Sequence, residues 1–109
     1  VAWGHRLVDE LVPAVVVVEK VAYSAFYQTR MEWALRKAGV ETLFVCGIVT
    51  NGGVASTLRD AHVRDLHAVL LSDGCAAFSD EVHQATLRAL ATVAPAMTCA
   101  EAAAAIEAA

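Results

Sequence analysis

Three short apolar runs, each followed by a helix-like pattern, limit what this chain can fold into. Val15-Val16-Val17-Val18 is continuous and β-branched, Thr42-Leu43-Phe44-Val45-Cys46 is the second run, and Ala68-Val69-Leu70-Leu71 the third. Runs without polar alternation are the mark of strands buried on both faces. Between the first two, Thr29-Arg30-Met31-Glu32 has the form of a capping box. Met31, Ala34 and Leu35 follow it at helical spacing, and Gly39 stands where a C-terminal cap glycine belongs. Gly52 and Gly53 open a second helix that carries Val54, Leu58 and Ala61 on one face. Asp73-Gly74 is expected to stop the third strand. Ser79-Asp80-Glu81 caps a helix to about Ala91, with acidic residues in the turn where the helix dipole favours them. Thr98-Cys99-Ala100-Glu101 is a further capping box, at the start of an alanine-rich helix. Strands alternating with helices of this length imply βαβ crossovers, hence an α/β fold with a parallel sheet flanked by helices in three Rossmann-like layers.

Composition narrows the partners. With 109 residues the chain is one domain at most. Its net charge of −4 and its eight scattered Lys and Arg residues leave no basic stripe to track a nucleic acid backbone. The longest apolar run, Leu11 to Val18, is far shorter than the ~20 residues needed to span a bilayer, so no membrane partner is expected. Arg6, Asp9 and Glu10 interrupt the N-terminus too early for a signal peptide. Cys46, Cys75 and Cys99 are widely spaced without a CxxC pair, which points to reduced thiols in a cytoplasmic protein.

Ligands of open parallel sheets bind beyond the carboxyl ends of the strands. Glu19-Lys20 leaves the first expected strand, Gly47 to Gly53 the second, and Ser72 to Ala77 the third. In Gly47-Ile48-Val49-Thr50-Asn51-Gly52-Gly53 a strand runs through a glycine-rich turn into a helix. That geometry aims backbone N–H groups and the helix dipole at whatever sits above the turn, and it suits an oxyanion or a carboxylate. A tight turn that serves packing alone is the other reading of the same glycines. The segment is neither GxGxxG nor a P-loop, so no nucleotide cofactor is expected. His5, His62, His67 and His83 show no HxxxH spacing, and no metal is expected.

Taken together, these segments resemble the isochorismatase-like, or cysteine hydrolase, superfamily. The resemblance rests on Lys20 followed by Tyr23-Ser24-Ala25-Phe26 and Thr29. It rests also on Gly47-Ile48-Val49-Thr50-Asn51 leading to Ser56-Thr57 and Arg59-Asp60-Ala61, and on Asp73-Gly74-Cys75-Ala76-Ala77 with Glu81 and His83 beyond. It implies a six-stranded parallel sheet of order 3-2-1-4-5-6, of which residues 1–109 would be the C-terminal part as a single hydrolase domain. In that order the strands at Val15–Val18 and Thr42–Cys46 are not neighbours, and the two N-terminal strands expected between them are missing from this sequence. It implies as well an Asp, Lys and Cys triad in the amidases, with an oxyanion held on backbone N–H groups after a cis peptide, here Ile48-Val49. Two departures stand out. The nucleophilic Cys aligns with Gly53, and no Asp-x-Gln segment precedes Val15. The isochorismatase branch also has glycine at the nucleophile position and hydrolyses a vinyl ether by protonation and water attack.

The candidate site residues are therefore Lys20 as the catalytic group, with Val49, Thr50, Asn51, Gly52 and Gly53 binding the substrate or oxyanion and Tyr23 and Phe26 walling the pocket. Trp33 is read as core or subunit interface, Arg59 and Asp60 as a structural ion pair or helix contact, and Cys46 as an inert core thiol. Cys75, at a strand end, is the thiol nearest the cleft. Cys99, at a helix start, has the setting for a lowered pKa but is read as structural. The leading function is a hydrolase acting on a small carboxylated or amide-like substrate without a Cys nucleophile. The alternatives are a catalytically inactive relative serving as a binding or assembly module, and a flavodoxin-like anion-binding domain. Hydrophobic residues make up 58% of the chain, so some apolar helix surface should remain for a homo-oligomer built through the helices after Thr29 and Gly53.

Overall fold

The computed structural model describes residues 16–109. Helix α1 (Met31–Lys37) is followed by β1 (Thr42–Ile48), a single π-helical turn at Thr50–Val54 and α2 (Ala55–Val63). Strand β2 (His67–Ala76), α3 (Asp80–Leu90), β3 (Ala96–Met97) and α4 (Cys99–Ala108) complete the order. The strands form one parallel sheet in the order β1-β2-β3. Each crossover is a helix, as the alternation of patterns requires.

The core lies between this sheet and α2. Leu58 and Ala61 of α2 are fully buried against Leu66, Ala68 and Leu70, and Leu90 of α3 closes the cluster. Val54, Leu58 and Ala61 share the buried face that their spacing predicted. Helix α1 ends at Gly39 (φ +70°), whose N–H bonds to Arg36 C=O at 3.1 Å while Val40 N–H bonds to Leu35 C=O at 3.0 Å. These paired bonds form the Schellman closure that a left-handed glycine permits. Ser79 caps α3 through Val82 N–H at 3.2 Å, and the Thr98–Glu101 capping box at α4 is complete in both directions.

Three local expectations are corrected. Residues 16–18 form no strand: Val16 and Val17 are 55% and 53% exposed, and Val15 lies outside the described residues. A strand exists only where a neighbour accepts its ladder, and among the described residues none lies beside this run. The Thr29-Arg30-Met31-Glu32 capping box does not form, because the Thr29 hydroxyl donates to Ala25 C=O, four residues back, while accepting from Met31 N–H at 3.1 Å. Glu32 instead pairs with Arg64 at 2.8 Å. Nor does Asp73-Gly74 end β2. Leu70 pairs with Val45 and Cys75 with Gly47, so residues 71–74 stand opposite Cys46 alone in an extended bulge, while Leu71 pairs with Met97 of β3. Turn-forming residues here bend a strand that two neighbours keep extended.

Candidate active site

The turn after β1 is held from below. Gly47 adopts φ +137°, a conformation side chains rarely allow, and the Ile48–Val49 peptide is cis. The chain then enters the π-helical turn, where Val49 C=O accepts from Gly52 N–H at 3.1 Å and from Val54 N–H at 3.4 Å. Thr50 and Asn51, at the helix start, keep the N–H groups that no intrahelical carbonyl can reach. Gly52 admits no side chain, since a Cβ there would lie 2.9 Å from Val49 Cγ2.

The sequence-derived residues separate into two groups. Lys20 and Tyr23 sit at the turn. A Cβ placed on Gly53 would lie 3.7 Å from Lys20 Nζ and 3.2 Å from Tyr23 C=O, and a Cβ on Gly52 would lie 3.7 Å from the Tyr23 ring. Lys20 Nζ donates to Ala22 C=O at 2.7 Å and to Tyr23 C=O at 3.2 Å, which among the described residues leaves one of its three N–H groups uncommitted. The loop carrying both residues is seated on α2 by Thr57, whose Oγ1 accepts from Ala25 N–H at 3.0 Å. Beside Lys20 and Gly53 opens a cleft of about 340 Å³ that runs along the outer edge of β1, past Leu43, Val45 and Ile48.

Phe26, expected as a pocket wall, lies apart from this group. It is 5% exposed, packed in the core under the Arg64 guanidinium at 4.9 Å. Being apolar and large, it follows the rule for burial. Trp33 stands exposed on α1 rather than in the core. Asp60 pairs with Arg64 at 3.6 Å, a structural ion pair one helical turn on, while Arg59 is exposed. Cys46 is also exposed, so its reading as an inert core thiol fails. Cys99, whose helix start offered the setting for a lowered pKa, has its thiol held above the usual range, first by hydrogen bonding to the Asp73 carboxylate.

Sequence reasoning missed the support beneath the turn. Thr50, fully buried, lies 2.7 Å from His83 Nδ1, and His83 Nε2 lies 3.1 Å from Ser72 C=O. A carbonyl only accepts, so Nε2 carries the proton and Nδ1 accepts from the Thr50 hydroxyl. His83 thus ties the first residue of the turn to β2. The two side chains are 33 positions apart, so no local spacing could reveal the pair.

The isochorismatase domain family model matches residues 1–101. An uncharacterized isochorismatase family protein of Bacillus subtilis is 42% identical over 71 residues, which cover 65% of this chain and 38% of that protein. A ureidoacrylate amidohydrolase of Acinetobacter baylyi is 40% identical over 88 residues, 78% of this chain and 36% of the relative. The chain therefore spans well under half the length of these relatives. Among solved structures, an isochorismatase-like hydrolase from Alkaliphilus metalliredigens superposes with a TM-score of 0.91 at 31% identity, over 95% of this chain and 59% of its own. The family model covers most of the chain, and the chain belongs to the isochorismatase family.

Proposed function

We propose that the turn at Val49–Gly53, with Lys20 and Tyr23 beside it, is the anion-holding part of a hydrolase site. It acts on a small carboxylated or amide-like substrate without a cysteine nucleophile. The observation that carries this reading is the 3.7 Å between Lys20 Nζ and the point where a side chain on Gly53 would begin. With glycine there, the space beside the ammonium is open to a substrate atom. The N–H group of Asn51, which is exposed beside the buried Thr50, would meet a carboxylate or a developing oxyanion, the arrangement that stabilises charge formed in a transition state. Lys20 would supply the cation and carry the proton, and water would attack without a covalent intermediate. The amidohydrolase among the relatives supports an amide as substrate class. The net charge supports a small molecule over nucleic acid as partner, and the exposed Val21, Ile48 and Phe78 support a homo-oligomer. The sparse cysteines are those of a cytoplasmic protein. Among the described residues no helix is long and apolar enough to cross a membrane.

The test is turnover of a panel of small amides and carboxylated vinyl ethers, followed by NMR. Activity should persist after iodoacetamide treatment and fall by ~10²–10⁴ in Lys20→Gln, the usual range for removing a proton-transfer group. Loss of activity on alkylation, prevented by substrate, would place the chemistry on a cysteine instead. Gly53 also favours a second reading, a binding module: saturable ligand shifts at the turn with no product from any panel member would establish it.

A further inference from the structure

Away from the turn, the bulge of β2 gathers two cysteines from elements far apart in sequence. Residues 71–74 stand opposite Cys46 alone, and the neighbours close in on Gly74 because it has no side chain. From the point where a Cβ on Gly74 would sit, Cys46 Cβ is 3.0 Å away and Cys99 Sγ 3.3 Å away. Both cysteines are exposed. Cys75 is directed elsewhere: it is half-buried, packs against the core, and its thiol points to Val45 C=O at 3.9 Å. Asp73 completes the group, with Oδ1 accepting from Cys99 N–H at 2.7 Å.

We propose that Cys46 and Cys99 are a redox-modification site that closes to an intramolecular disulfide when the protein meets a peroxide. Cys46 Cβ and the Cys99 sulfur both lie against Gly74, so rotation of the two side chains would bring the sulfurs toward bonding distance. The members are unequal. Hydrogen bonding to the Asp73 carboxylate raises the Cys99 thiol pKa and disfavours its thiolate, so the exposed Cys46 is assigned the first step, as the attacking thiolate. That thiolate attacks one peroxide oxygen, the O–O bond breaks, and Cys46 becomes a sulfenic acid as hydroxide departs. The hydroxide released in that step takes the proton of the Cys99 thiol as water, and the new thiolate attacks the Cys46 sulfur. The S–O bond breaks, and the sulfenic oxygen leaves as hydroxide. Each sulfur loses one electron, and the peroxide takes up both. The bond would fasten the start of α4 to the strand that leads into the turn.

Trypsin separates the three thiols, because cleavage after Lys37, Arg59, Arg64 and Arg88 puts Cys46, Cys75 and Cys99 in different peptides. The full chain is treated with hydrogen peroxide, its free thiols are blocked, and the digest is analysed without reductant. A peptide pair joining Cys46 to Cys99, lost on reduction and retained in Cys75→Ser, is the expected result. In Cys99→Ser the same treatment should leave Cys46 as a sulfenic acid that dimedone traps. A bond involving Cys75, a bond only between two copies of the chain, or Cys46 oxidised to the sulfinic acid while Cys99 remains alkylatable would overturn the proposal. The wild-type digest decides it even where a variant fails to fold.

Discussion

Thr50 and His83 are worth more together than either would be apart. The hydroxyl is fully buried and the imidazole nearly so, and each satisfies the other across the gap between the π-helical turn and α3. Removing one partner leaves the other buried without a hydrogen bond, which costs about 1–3 kcal/mol. We expect His83→Ala and Thr50→Val each to lower the unfolding free energy by that amount. The double variant should cost less than the sum, since its second change removes an already orphaned group; strictly additive losses in urea melts would show that the pair is not coupled. At Gly53 the argument runs toward gain. A cysteine there places its Cβ 3.7 Å from Lys20 Nζ, at the N-terminus of a helix, although Tyr23 C=O at 3.2 Å must give by a few tenths of an ångström. A nearby ammonium and the helix dipole both favour the thiolate. Gly53→Cys should therefore react with iodoacetamide at neutral pH faster than any of the three natural cysteines, and Lys20→Gln in the same background should slow it. Equal rates with and without Lys20 would remove the lysine from the site.

Helix α4 depends on its first turn for more than alanine propensity. Thr98 accepts from Glu101 N–H at 3.1 Å, Glu101 accepts from Thr98 N–H at 2.8 Å, and Asp73 reaches across from β2 to accept from Cys99 N–H at 2.7 Å. These bonds hold both carboxyls below their ordinary values of 4.5 for Glu101 and 3.8 for Asp73, the chief cause being backbone N–H donation from Thr98 and from Cys99 respectively. A carboxyl whose folded pKa is depressed lends stability that is complete above the ordinary value and is lost as pH falls through the folded one. Amide exchange at Ala100–Ala102 should thus quicken relative to the core as pH drops below about 4.5, and Glu101→Gln should blunt that response. Exchange that tracks the core at every pH would refute it. This helix also shows what can be read from a sequence. The Thr98–Glu101 box and the Ser79 cap are local patterns with local partners, so residue order alone predicts them. Asp73 was read as a strand stop because its partner, Cys99, is 26 positions away. Thr29 failed as a cap for a related reason: its hydroxyl found Ala25 C=O first. The placement of Lys20 beside the turn after β1 could be anticipated from motif order, whereas the His83 support and the burial of Phe26 depend on packing that no spacing encodes.

At the scale of the whole molecule the outer edge of β1 governs behaviour. Among the described residues its only ladder is the one to β2. Leu43, Phe44 and Val45 are only partly buried, Ile48 is 78% exposed, and a cleft of about 340 Å³ follows the edge. An apolar edge of this kind is a template for another strand, and native proteins cover it or charge it. The strand expected at Val15–Val18 does not do so, since residues 16–18 lie outside the sheet. We infer that a further strand, of the kind the N-terminal part of the family fold would provide, or a second copy of the chain, covers this edge. The two differ in concentration dependence. These 109 residues alone should associate at micromolar concentration through the edge, and light scattering should then give more than the monomer mass. Val45→Lys should suppress association by placing a charge in the cleft, while Trp33→Lys, on the exposed face of α1, should leave it unchanged. Association that survives Val45→Lys but is lost in Trp33→Lys would move the interface to the helices, as the homo-oligomer expectation first had it. A strict monomer with a rapidly exchanging β1 would mean that the edge waits for a strand in cis.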